Sequence, residues 1–203
     1  ENWKKLKSLK SSAKISQQGM VIPVVLLQKL PNKQRIDSDF QGQKFVQAYN
    51  GKEGWIINPF LQSTEATMLA GDDLKELEDQ MTFNNPLIDY KKKGNTVEFE
   101  GTETIEGTEY DIVKLTRKTG SVHYYLFAKG DTLKVILRRT VLSGPMKGQT
   151  GETYLSDYRS VGDLMMPFFV LNKVQGQTVN EVKVENWEID PEIEDSRFDF
   201  PTK

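Results

Sequence analysis

The sequence contains no cysteine and a single histidine, His123. The first absence removes disulfide scaffolds, thiol nucleophiles, cysteine-based zinc sites and haem attachment. The second removes any site that takes two histidine ligands from one chain. It also leaves His123 as the one base open to a hydroxyl–histidine–carboxylate triad. Long apolar runs are missing as well. Met20–Leu27 and Leu164–Leu171 are the longest, at eight residues each, whereas a membrane-crossing helix needs about 20. Charge of one sign is missing too. The 27 Lys and Arg residues nearly balance 29 Asp and Glu, for a net charge of −2 spread along the chain. Nucleic-acid binders show a basic excess instead, so no nucleic-acid partner is expected.

What is present is enough apolar material for one sizeable core. The chain has 203 residues, 37% of them hydrophobic, and at this length roughly 70% of the unfolded surface is hidden on folding. A single domain over 1–203 is the expectation. The chain begins at Glu1-Asn2-Trp3-Lys4 without an initiator Met, which reads as a processed or trimmed start.

Strand signals dominate and recur at short intervals between Gly or Asn turns. Candidate strands run over 10–18, 20–30, 33–41, 44–49 and 54–58, with turns at Gln18-Gly19, Pro31-Asn32, Gly42 and Asn50-Gly51. Alternation then stops. Leu74, Leu77 and Met81 share a helical face, and Asp73 with Glu76 has the spacing of a capping box. Pro86 suits the first turn of a second short helix over 87–92 that ends at Gly94. A helical insertion over about 69–93 follows from these marks. Strands resume over 95–105, 108–117, 121–128, 132–142, 149–158, 164–174 and 178–189. Nearly every connection is a short hairpin, so an antiparallel meander of about eleven or twelve strands is predicted.

Face patterns refine this. Val97 and Phe99 alternate with Glu98 and Glu100, a strand with one wet face. Met20–Leu27 and Leu164–Leu171 are apolar on both faces, so each needs a cover on both sides: a helix, another sheet or an apolar ligand. Pro23 and Pro167 stand inside those runs. Proline donates no ladder hydrogen bond, so each marks a sheet edge, a bulge or a strand start.

The search for chemistry returns little. Asp37–Gly42 imitates the opening of a calcium loop, but the twelfth position is Ala48, where a bidentate Glu is needed. Gly144–Gly151 lacks the Gly-Lys-Ser/Thr of a phosphate loop. The carboxylates of 98–111 and 190–199 read as solvated strand faces and a polar tail rather than a catalytic pair. His123 shares a strand face with Tyr125 and Phe127, the setting of a packed side chain. No metal, no cofactor and no catalytic residue are therefore expected, and an enzyme would depend on carboxylates or His123 alone. Apolar equipment remains: Met68, Leu69, Leu74, Leu77, Met81 and Phe83 in the insertion, and Trp55, Ile56, Ile57 and Phe60 just before it. Methionines and aromatics suit an adaptable apolar site, and they equally suit a plain core; periodicity does not separate the two.

Three stretches carry a family resemblance: Pro31-Asn32-Lys33-Gln34-Arg35, then Ala48-Tyr49-Asn50-Gly51-Lys52-Glu53-Gly54-Trp55 with Asn58-Pro59-Phe60, then Tyr154-Leu155-Ser156-Asp157-Tyr158 running on to Met165-Met166-Pro167. In this order the chain resembles the outer-membrane lipoprotein-sorting proteins, relatives of the periplasmic carrier LolA, over nearly its whole length. The resemblance implies a mainly β (α+β) fold, an unclosed antiparallel β-barrel or half-barrel with a helical lid over an apolar cavity. It implies non-catalytic binding and transport of lipid or lipoprotein acyl chains in the periplasm or cell envelope. It also implies an outer-membrane acceptor protein and peripheral contact with membrane as further partners. Family members begin with an export signal and an N-terminal helix, and this chain starts near the end of that region, at Trp3-Lys4-Lys5-Leu6. The expected lining is Trp55, Ile57, Phe60, Leu74, Leu77, Met81, Phe83, Leu87, Met166 and Phe168. The alternative is an envelope interaction module of the same fold that carries no lipid and docks partners by strand addition at a sheet edge.

Overall fold

The computed structural model describes residues 2–59, 64–81 and 85–201. Its strands are β1 (Ser8–Gln17), β2 (Met20–Lys29), β3 (Lys33–Phe40), β4 (Gln43–Tyr49), β5 (Gly54–Ile57), β6 (Thr67–Met68), β7 (Thr96–Ile105), β8 (Thr108–Thr116), β9 (Val122–Ala128), β10 (Val135–Thr140), β11 (Thr150–Val161), β12 (Leu164–Val174) and β13 (Gln177–Ile189). The helix α1 spans Gly71–Gln80, and 3-10 turns form at Asn2–Lys4 and Asp195–Phe198.

Four hairpins share one turn chemistry. Gln18-Gly19, Gln41-Gly42, Glu106-Gly107 and Gln175-Gly176 each hold two successive residues at positive φ. That is the geometry of the two-residue turn whose twist matches paired strands. The strands make a single sheet in the order β6-β5-β4-β3-β2-β1-β13-β12-β11-β10-β9-β8-β7. Only the β1–β13 step departs from sequence order, and the ends of the series, β6 and β7, do not pair with each other. The sheet is thus antiparallel and open, with a helix, as the sequence indicates.

Three local expectations are corrected. The thirteenth strand, β6, has two residues, too few for alternation to show. Asp73 does not cap α1: the N-cap position is Ala70, without a side-chain cap, and Asp72 and Asp73 sit in the first turn, where they complement the helix dipole. Gly71, at φ +57, admits the left-handed conformation that lets the helix begin earlier. The second helix is a run of turns over 86–94, because Asp89 takes a φ of +51 and interrupts the helical path.

The chain groups into two compact units, one of Glu1–Asn84, Ser160–Met166 and Val182–Lys203, the other of Asn85–Arg159 and Pro167–Glu181. Strands β11, β12 and β13 contribute residues to both. Pro167 stands inside β12, an internal strand rather than an edge.

In the second unit the register of β7–β11 sorts side chains onto two faces. One buries Leu115, Tyr125, Val135 and Leu137, with Leu87 of the turn segment packed against them. The other buries Tyr110, Leu126 and Ile136, beside Arg138, which bonds Glu103 and Glu152. The Arg138 guanidinium, through its hydrogen bonds, holds the Glu103 carboxyl below the usual carboxylate range. Edge strand β7 is blunted by a register shift between Phe99 and Gly101, a device against edge-to-edge pairing.

Candidate functional site

Directly opposite residues in an antiparallel ladder share a face, so the first unit can be read row by row. One face of β1–β5 carries Lys10, Leu27, Arg35, Ala48 and Trp55, with Ser12, Val25, Asp37, Val46 and Ile57 in the next row. The other carries Ser11, Leu26, Ile36, Gln47 and Ile56. That central row is flanked by Ala13, Val24, Ser38 and Phe45 on one side and by Leu9, Gln28, Gln34, Tyr49 and Gly54 on the other.

The C-terminal tail covers the first face. Its carbonyls accept hydrogen bonds from sheet side chains: Trp55 Nε1 to Phe198 at 2.9 Å, Arg35 to Arg197 at 2.6 Å and Lys29 Nζ to Ile193 at 2.8 Å. Lys29 and Lys33 also reach Asp195, at 2.8 and 3.1 Å, and through those hydrogen bonds hold its carboxyl below the ordinary value. The Arg35 guanidinium lies 5.4 Å from the Trp55 ring centre, a cation–π contact. Beneath the tail the central apolar side chains are sealed, with Val25 and Ile57 half-buried at their margin. Phe198 and Val46 are 0% exposed, Ala48 1% and Trp55 2%.

The helix lies on the second face. A Cβ at Gly54 would come within 2.9 Å of Leu77 and 3.0 Å of Leu74, so glycine there lets α1 approach the sheet closely. The Tyr49 hydroxyl donates to Glu78 Oε1 at 2.8 Å, which ties the helix to β4. Burial, followed by that bond to Glu78, raises the Tyr49 hydroxyl well above its ordinary value, so it stays a donor at any physiological pH.

Beyond the helix this second face is unlike the first. Leu9, Ser11, Ala13, Gln28, Ser38 and Tyr49 are buried there. Yet seven of its apolar side chains, Ile15, Ile22, Val24, Leu26, Ile36, Phe45 and Ile56, stay half-buried. Apolar surface left partly wet costs about 25 cal/mol per Å² relative to burial. Contiguous apolar patches of this kind mark binding surfaces. None of these seven belongs to the lining expected from the sequence. The signal was available in part: the Gln18-Gly19 and Gln41-Gly42 turns set the register that brings them to one side.

The expected lining residues are divided by the structure. Leu74 is half-buried and Leu77 buried on the helix face, with Met81 half-buried at the helix C-cap. The register carries Trp55 and Ile57 to the opposite, tail-covered face. Met166 is buried in β12 in the first unit. Leu87 and Phe168 belong to the second unit, where the Arg159 guanidinium lies 4.5 Å from the Phe168 ring centre. Phe60 and Phe83 lie outside the described residues.

A concavity of about 460 Å³ also opens in the first unit, lined by residues of β1–β4 with Glu185 of β13. It shares no residue with the expected lining. Among the described residues no cluster of three His, Asp or Glu side chains could hold a metal ion. No helix among them is long and apolar enough to cross a membrane. His123 is buried on the same strand face as Tyr125, their rings 6.4 Å apart.

No family model matches the chain, and no curated protein matches it either. Solved structures do. A DUF1329 family protein from Desulfovibrio piger superposes with a TM-score of 0.63 at 13% identity, over 98% of this chain and 92% of that one. A protein domain assigned to outer membrane lipoprotein sorting, from Vibrio parahaemolyticus, gives 0.59 at 12% identity, over 98% and 90%. A LolA superfamily protein from Nitrosomonas europaea gives 0.59 at 10%, over 95% and 89%. Likeness at these identities extends to architecture, and over nearly the whole chain the fold is the LolA-like one.

Proposed function

We propose that the first unit binds the acyl chains of a lipid or lipoprotein on the helix-covered face of β1–β5, and that the protein carries them without covalent chemistry in the bacterial envelope. One observation carries this reading. On the tail face the same five strands seal Leu27, Val46, Ala48 and Trp55, whereas the helix face leaves Leu26, Ile36, Phe45 and Ile56 half-buried. Each methylene removed from water there stabilises a complex by about 0.8 kcal/mol, so a long chain needs little polar recognition. Helix α1, resting on Gly54 through Leu74 and Leu77, acts as the lid. Met81 and Met166 of the same unit, with Phe60 and Phe83, remain candidates for the rest of the path. The fold shared with a lipoprotein-sorting domain supports an envelope location, an outer-membrane acceptor as partner and peripheral contact with membrane.

The test is direct. Protein purified without detergent is extracted with organic solvent for mass spectrometry, and the stripped protein is titrated with a fluorescent fatty acid. Saturable binding is expected, weakened about tenfold or more by Ile36→Asp, which sets a charge among apolar neighbours, and unaffected by Val21→Asp at an exposed position. Absence of both co-extracted lipid and saturable binding overturns the proposal.

A further inference from the structure

Strands β2 and β3 are paired from Lys29 with Lys33 as far as Val24 with Ser38. Past that point β2 continues to Met20 against β1 alone, and β3 continues to Phe40 against β4 alone. The two strands fork. Pro23 is the cause. In a strand the N–H and C=O of one residue point to the same side, and the Pro23 carbonyl accepts from Ser38 Oγ of β3 at 2.8 Å. The N–H that proline lacks is therefore the one β3 would need for its next ladder bond.

The concavity of about 460 Å³ sits in this fork, within the roughly 300–1,000 Å³ of small-ligand sites. Both faces of the sheet line it. Ala13, Val24 and Ser38 belong to the helix face, Ser12, Val25 and Asp37 to the tail face. Its charges sort themselves. Asp37 is held by Arg35 at 2.7 Å, and Glu185 is paired with Lys14. Asp39 and Lys44 face each other across β3 and β4 and form no ion pair among the described residues. One free charge of each sign thus stands at an opening that Pro23, Val24 and Val25 help to line.

We infer that the fork is a lateral port that seats the headgroup of a single-chain or acyl-bearing amphiphile while its chain lies on the helix face. The headgroup is zwitterionic, of the phosphoethanolamine kind: its phosphate meets the Lys44 ammonium and its amine the Asp39 carboxylate. An anionic headgroup would meet Asp39 unpaired. This inference rests on the apolar-face reading above, to which it adds a headgroup and an entrance.

The experiment titrates the full chain with lysophosphatidylethanolamine, lysophosphatidylglycerol and a monoacylglycerol of equal chain length. Lysophosphatidylethanolamine is expected to bind about fivefold tighter than the glycerol lysolipid, the order exposed charge pairs supply. Lys44→Glu and Asp39→Lys each remove that preference, the double exchange of Asp39→Lys with Lys44→Asp restores it, and monoacylglycerol binding stays constant throughout. A second measurement uses Asp39→Cys in this otherwise cysteine-free chain. Coupling a bulky maleimide there slows loading of monoacylglycerol about fivefold or more if the fork is the entrance. Equal affinities for both lysolipids in the unmodified chain and in both single variants, or unchanged loading after coupling, overturns the port and leaves the apolar face standing. Failure of every ligand to bind overturns both.

Discussion

Trp55 and Ile56 are neighbours in β5 and point to opposite sides of one sheet. Trp55 is 2% exposed, under a tail that its own indole N–H holds by the Phe198 carbonyl. Ile56 shares its row with Ile36 and Leu26, and all three are half-buried. The covers explain the contrast. The tail is tied by side chains of β1, β2, β3 and β5 that each satisfy one of its carbonyls, so it can lie flat and exclude water. Helix α1 has ten residues, about 15 Å of axis, and it meets the sheet over Gly54 and Tyr49. A short helix covers one end of a face. The difference teaches that half-burial on the helix face is built into the cover and is not poor packing.

The largest effect should separate the faces by stability. Trp55→Ala is expected to cost about 3–5 kcal/mol, as for a large aromatic removed from a sealed core. Ile36→Ala should cost about 1 kcal/mol, because part of its side chain is already wet. Urea midpoints measure both, and equal costs would erase the distinction between a closed face and an open one. A smaller effect belongs to helix α1 alone. Gly54→Ala presses a methyl against Leu77 and Leu74 and should cost about 1–2 kcal/mol by overpacking. Amide exchange should quicken in α1 and stay unchanged in the tail; equal quickening in both would show that the two covers are not independent.

The smallest effect concerns the tail in acid. The Asp195 carboxyl is lowered from its ordinary value of 3.8 by its hydrogen bonds to Lys29 and Lys33. A carboxyl lowered in the folded state contributes stability that is present above the unfolded value and is lost as pH falls through the folded one. Exchange protection of the 193–198 amides should therefore hold from neutral pH to about 4 and decline below it. In Asp195→Asn the decline should be reduced and the protection at neutral pH already lower. A tail whose acid response is the same in both proteins would assign its docking to the carbonyl bonds alone.

Much of the fold was legible in the sequence. Paired turn residues such as Gln18-Gly19 announce hairpins because few residues accept positive φ, and period-2 alternation locates strands. The apolar run at Met20–Leu27 called for a cover on both sides, yet of that run only Leu27 is sealed, under the tail, while Met20 and Val21 stay exposed and Val24 and Leu26 half-buried. Pro23 marks a sheet edge, a bulge or a strand start by its missing N–H; β2 is internal to the sheet, but its ladder with β3 stops beside that residue. The errors lay where local signals compete. Asp73 with Glu76 has the spacing of a cap, yet Gly71 let the helix start before it. Asp89 carries no mark of the left-handed turn that ends the helical path after Pro86.

The site was less legible for a physical reason. Trp55 and Ile57 suit a lining by their apolar size, which is the same in a closed core and in an open cavity. Their fate depends on a tail about 140 residues further along the chain, since Trp55 bonds Phe198 at a separation of 143. No periodicity reports such a contact. The sequence by itself determined the strands, the hairpin registers, and therefore which residues share a face, because backbone sterics and alternation are local. It also excluded thiol chemistry and paired-histidine metal sites by composition. Only the tertiary structure decided which face is sealed and which stays half-open, because that is set by where a distant tail and a short helix come to rest on the sheet.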